Sequence, residues 1–240
     1  MSTAPGTTLL IPIVLLLLLG VSARGQTPTP TEWEAWPKVQ ASIELRKQTR
    51  LLVYGELQNG EDFAYLQWKM GALLNYRLKR ILHPGQSDID DENEHNLVVG
   101  AGYEYLQTIQ NDKTKRENRI IVQGTGRHRP GAGFLIQDRN LVEFRWVNGV
   151  YDFRYRNKLT VDHAFKISKF RLRPYASGEL FWDRNHHSWN ENQYSFGVQF
   201  PYKTRLMLDT FYLHQNCTTC SQKSINVLGL TLNLYFRRKK

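Results

Sequence analysis

The chain has 240 residues, 41 % hydrophobic and 22 % charged, a balance within the globular range that argues against disorder. Its net charge of +10 would suit nucleic acid or anionic lipid, and an export signal at the N-terminus sets nucleic acid aside. The two cysteines, Cys217 and Cys220, are too few for a disulfide scaffold.

Residues 1–25 read as a cleaved signal peptide, with Leu9 to Gly20 as its apolar core and Ala23 and Gly25 as small residues at the cleavage site. The apolar run is shorter than the roughly 20 residues that a membrane-spanning helix needs. A short polar segment, 26–35, leads into the domain expected over 36–236, and 237–240 form a basic tail.

Within the domain, runs of about 10 residues alternate apolar and polar, the signature of strands with one greasy and one polar face. They fall at 39–46, 50–57, 63–80, 94–108, 117–128, 134–147, 150–165, 169–183, 192–201, 204–215 and 224–236. The connections are mostly of hairpin length, which predicts antiparallel neighbours throughout. Eleven is an odd number for such a sheet, so the expected count is about 12 strands, with 10 as the alternative. Counting back from the last strand puts the acidic loop His83–Glu94 at the rim of the C-terminus and the Asn148-Gly149 turn at the other rim.

The Asn148-Gly149 pair predicts a two-residue type I′ turn. The pairing then runs Val147 with Val150, Trp146 with Tyr151, Arg145 with Asp152, Phe144 with Phe153, Glu143 with Arg154 and Val142 with Tyr155. One face receives the aromatics and the other two opposite-charge pairs. A slip of one residue would put charge among the aromatics.

Two architectures give this alternation: a soluble sheet packed on a core, and a membrane barrel with its apolar face outward. Export, 29 aromatic residues, many near strand ends, and the removal of sheet edges by closure favour an all-β outer-membrane barrel over a secreted β-sandwich. The bacterial outer membrane is the expected location and its lipids are the expected surroundings.

The polar face of such a barrel is its lumen. Arg139, Glu143, Arg145, Asp152, Arg154, Arg156, Lys158, Arg171, Arg173, Glu179 and Asp209 form a charge ladder there, with basic residues in excess. In a wide barrel the ladder would draw a small anionic solute; in a narrow one it would interlock as ion pairs and fill the interior. Cys217 and Cys220 lie between two strand-like runs rather than at a strand-to-helix junction, so they read as a loop disulfide rather than a redox motif. No catalytic residue is assigned. His163 and His214 share the parity of lipid-facing neighbours, and neither has a serine at a nucleophile's spacing. No cofactor is expected, and neither the adjacent histidines of "HHSW" nor the acidic loop is assigned a metal. A lipid-modifying enzyme of the same membrane remains the rival reading.

The stretches "DRNLVEFRWVNGVYDFRYRNKL", "RPYASGELFWD", "LDTFYLHQN" and "NVLGLTLNLYF" resemble the bacterial family catalogued as domain of unknown function 2490, over about Trp36 to Phe236. The resemblance implies an outer-membrane β-barrel and transfers no activity, ligand or catalytic residue. It also implies the barrel-assembly machinery as a partner, which reads an aromatic at the chain end; here Phe236 is followed by "RRKK".

Overall fold

The computed structural model describes residues 31–60, 65–78, 97–110, 113–131, 133–167, 170–202, 205–220 and 222–237. The expected signal peptide, half of the polar segment, the acidic loop and most of the basic tail lie outside the described residues.

The strands are β1 (Glu32–Glu44), β2 (Thr49–Gly60), β3 (Tyr65–Leu78), β4 (Leu97–Gln110), β5 (Lys113–Gly131) and β6 (Phe134–Val147). They continue as β7 (Val150–His163), the short β8 (Phe165–Ile167), β9 (Phe170–Asp183), β10 (Ser188–Tyr202), β11 (Leu206–Cys217) and β12 (Ser224–Phe236). All but β8 join one closed ring, in which β9 pairs with both β7 and β10. The wall therefore has eleven strands, each matching one of the eleven alternating runs, and β8 is an extra piece paired with the start of β9. β1 begins at Glu32, inside the segment expected to be a polar lead-in.

The expectation of antiparallel neighbours throughout is overturned at one seam. β1 pairs with β12 in parallel, from Glu32 with Ile225 to Ile43 with Phe236, while every other pairing is antiparallel. One parallel seam is what lets an odd number of strands close. It also sends the start of β1 and the end of β12 to opposite rims, here called the N-rim and the C-rim. The Asn148-Gly149 turn lies at the N-rim; β3 ends and β4 begins at the C-rim.

The opening hairpin has the register expected of it, from Val147↔Val150 to Phe134↔His163. Asn148 and Gly149 have φ of 48° and 86°, the left-handed values a type I′ turn demands. Asn148 also ties the turn to β5: its N–H donates to the Arg116 carbonyl at 2.8 Å, and its side-chain oxygen accepts from the Arg116 N–H at 2.9 Å.

Large apolar side chains fill the outward positions and stay exposed, as with Val39, Met70, Ile120, Leu159, Phe196 and Leu228. Aromatics concentrate toward both rims. Trp33, Tyr151 and Trp189 are exposed near the N-rim, and Tyr76, Phe134, Phe200, Tyr202 and Phe236 near the C-rim. Cross-strand ring pairs such as Trp146–Tyr151 and Phe144–Phe153 stiffen this surface.

Candidate functional site

The alternation that sends apolar side chains outward turns the charged positions of β5, β6, β7 and β9 into the lumen. Their side chains converge in a connected web. Arg119 on β5 reaches Glu104 at 2.9 Å, Glu117 at 2.5 Å and Glu143 at 3.5 Å. Arg145 reaches Glu117 at 2.5 Å, Asp152 at 3.3 Å and Asp183 at 3.4 Å. Arg156 bridges Glu143 at 2.9 Å and Glu179 at 2.8 Å, and Glu179 also takes Arg139 at 2.9 Å and Lys158 at 3.9 Å. Tyr54 on β2 joins the web by donating to Glu104 at 2.5 Å. On the neighbouring wall, Glu56 holds Lys69 at 2.8 Å and Lys38 at 3.7 Å.

Glu143 sits at the centre of the web with 1 % of its surface exposed. A buried carboxylate is tolerable only with paired, hydrogen-bonded cations around it, and Arg119 and Arg156 supply them. Inward aromatics fill space beside the web. Tyr54, Tyr175 and Phe211 stand opposite Gly71, Gly197 and Gly229 on adjacent strands. A Cβ on Gly197 would sit 2.6 Å from the Tyr175 ring, so the glycine is what lets the ring lie flat. Two small apolar clusters, Leu73 with Ile121 and Leu141, and Leu213 with Ile225 and Val227, also face inward.

Among the described residues, three cavities lie along the lumen. One of about 800 Å³ opens toward the N-rim, bordered by Asp183, His186, Glu191 and the Cys217–Cys220 turn. A second of about 450 Å³ lies at mid-barrel around Lys38, Glu143, Lys158 and Glu179. The third, of about 280 Å³, lies toward the C-rim around Arg127 and Asp162.

Of the sequence-predicted ladder, Arg139, Glu143, Arg145, Asp152, Arg154, Arg156, Lys158 and Glu179 meet in the web. Arg173 pairs with Asp162 at 3.7 Å, nearer the C-rim. Asp209 accepts from the Tyr175 hydroxyl at 3.1 Å and from Gln199 instead of joining an ion pair. Arg171 is exposed opposite Lys166 and takes no part in the web among the described residues.

One expected pairing changes. Glu143 and Arg154 are opposite in register, yet Glu143 pairs with Arg119 and Arg156 while Arg154 turns to Asp183 at 3.5 Å and Glu191 at 3.7 Å. Ten basic and eleven acidic side chains line these three cavities, and Arg173, paired with Asp162, adds a further cation beside them. The acids Glu34, Glu56, Glu104, Glu117, Asp183 and Glu191 border the same cavities beyond the expected ladder, and alternation with a period of two along 113–131 places Glu117 and Arg119 together on the inner face.

Cys217 and Cys220 are joined in a disulfide. Glu191 lies beside them, forming the one grouping of potential metal ligands among the described residues, but both sulfurs are spent on each other. His163 packs against Phe134 and Phe165 at the C-rim, and His214 shares a hydrogen bond of 2.8 Å with Asn226 on the outer wall.

The profile of a family described as "Protein of unknown function (DUF2490)" matches residues 33–226. Among curated proteins, none matches.

Proposed function

The chain belongs to the DUF2490 family, whose description supplies no activity to transfer, and we propose from its barrel that it is an outer-membrane protein with an ion-paired, non-conducting interior. The observation that carries this reading is the inversion of the ordinary protein: charge is sequestered inside and large apolar side chains are exposed outside. In water such a surface would be an aggregation hazard; in a bilayer it is the solvated face. The aromatics toward both rims match the two membrane interfaces, where one end of a ring is dry and the other wet.

The web argues against an open passage. Closely paired charges from β4 to β9, joined by the Tyr54 hydroxyl of β2, cross the interior, and an ion would have to displace them to pass. The N-rim cavity of about 800 Å³ favours a second role, holding a small polar solute at the mouth.

Two measurements test the reading. Fractionation should recover the protein with the outer membrane as a heat-modifiable band, and purified barrels in planar bilayers should give no conductance steps. Recovery in a soluble fraction would overturn the membrane placement, and ohmic steps from the wild-type protein would overturn the closed interior.

A further inference from the structure

Among the described residues, the outer wall carries a cluster of hydrogen-bonded polar side chains at mid-depth. β6 and β7 each present seven outward positions, and Asn140 and Asn157 occupy the fourth of seven on their strands, directly opposite each other. Asp138 lies beside them and is the sole carboxylate facing outward from the described strands. These groups bind one another: Asn157 Nδ2 donates to Asp138 at 2.7 Å and to Asn140 at 3.1 Å, the Tyr155 hydroxyl donates to Asn140, and Asn140 Nδ2 reaches Asp138 at 3.4 Å. Along both strands the outward neighbours are apolar or aromatic: Ile136, Val142 and Phe144 on β6, Phe153, Leu159 and Val161 on β7.

The adjacent wall is bare. Gly124 is opposite Asn140 and Gly126 opposite Asp138 on β5; a Cβ on Gly124 would meet nothing within 4 Å, and one on Gly126 only a backbone oxygen at 3.9 Å. A carboxylate facing lipid is costly unless something polar covers it, and bare backbone lets another wall come close.

We infer that this notch is the contact surface for a second copy of the chain, joined notch to notch in the membrane; the inference rests on the membrane reading above. Two facts select a copy over other occupants. Barrels inserted in the same sense and related by a two-fold axis along the membrane normal keep each residue at its own depth, so an axis passing through the notch sets the two notches face to face. The unmet hydrogen-bonding capacity is also self-complementary. Asn157 has used both amide N–H groups, whereas Asn140 keeps one and Asp138 keeps lone pairs on both oxygens. Asn140 of each copy donates to Asp138 of the other, twice across the axis, and Gly124 and Gly126 leave room for that approach.

The test is the mass of the folded protein in lipid nanodiscs and in mild detergent, with the heat-modifiable gel shift as the control for folding. Wild type is expected as a dimer. Asp138→Leu with Asn140→Val makes the wall uniformly apolar and should lower the dimer fraction at least tenfold without loss of the gel shift. Gly124→Leu keeps every polar group but fills the bare wall, and should do the same. A folded, inserted wild type that is monomeric at all protein-to-lipid ratios overturns the inference, as does a dimer that survives both variants. Failure to insert at all would overturn the membrane reading first and this inference with it.

Discussion

Replacing Glu143 by Gln keeps the side-chain shape and removes the charge at the centre of the web. Glu143 is 1 % exposed and contacts Arg156 at 2.9 Å and Arg119 at 3.5 Å. Breaking a buried ion pair by removing one partner typically costs about 3–5 kcal/mol, because the remaining charge is left uncompensated. Here each arginine keeps another carboxylate: Arg156 retains Glu179 at 2.8 Å, and Arg119 retains Glu104 at 2.9 Å. The expected loss is therefore at the lower end, about 3 kcal/mol. Lys38→Met is the comparison. Lys38 lies 3.7 Å from Glu56 and its side chain is 26 % exposed, while Glu56 keeps Lys69 at 2.8 Å, so less than about 1 kcal/mol should be lost. Urea unfolding from lipid vesicles, followed by the gel shift, measures both. A Glu143→Gln loss below about 1 kcal/mol, or an equal loss from Lys38→Met, would refute the claim that burial sets the worth of these pairs.

The glycines opposite inward rings should be intolerant where outward ones are not. Gly197→Ala places a Cβ 2.6 Å from Tyr175 and should cost about 1–3 kcal/mol as the ring and its bond to Asp209 are displaced, whereas Gly55→Ala meets nothing within 4 Å and should be near neutral in the same urea assay. At the N-rim, Cys217→Ser with Cys220→Ser removes a bridge of sequence separation 3. A loop that short is worth about 2 kcal/mol of unfolded-chain entropy, so the urea midpoint should fall modestly with the gel shift retained. A variant that no longer folds would show that the bridge does more than constrain one turn. Gly149→Val forces a β-branched residue to a φ of 86° and should cost about 1–2 kcal/mol, with folding into vesicles slowed if the hairpin nucleates the sheet.

Which face each residue takes was legible along the opening hairpin, because a period of two leaves only two choices and Asn148-Gly149 pins the register. The eleven runs were legible for the same reason. Their closure was not, since β1 and β12 lie almost the whole domain apart and no local pattern states that Glu32 will run parallel beside Ile225. The inner face was assumed wholly polar, and Leu73, Ile121 and Leu141 show that a narrow lumen also needs apolar filling.

Ion pairing was the least legible feature, and the hairpin shows why. Register decides that Glu143 and Arg154 are nearest neighbours along the wall, but in a closed cylinder long side chains converge on the axis and meet partners from strands that are not adjacent. Arg145 reaches Asp183 on β9 past β7, and Arg139 reaches Glu179 on β9 in the same way. The acids that neutralise the hairpin's arginines therefore come partly from outside it. A lumen's net charge cannot be read from one hairpin, because it is a property of the whole ring.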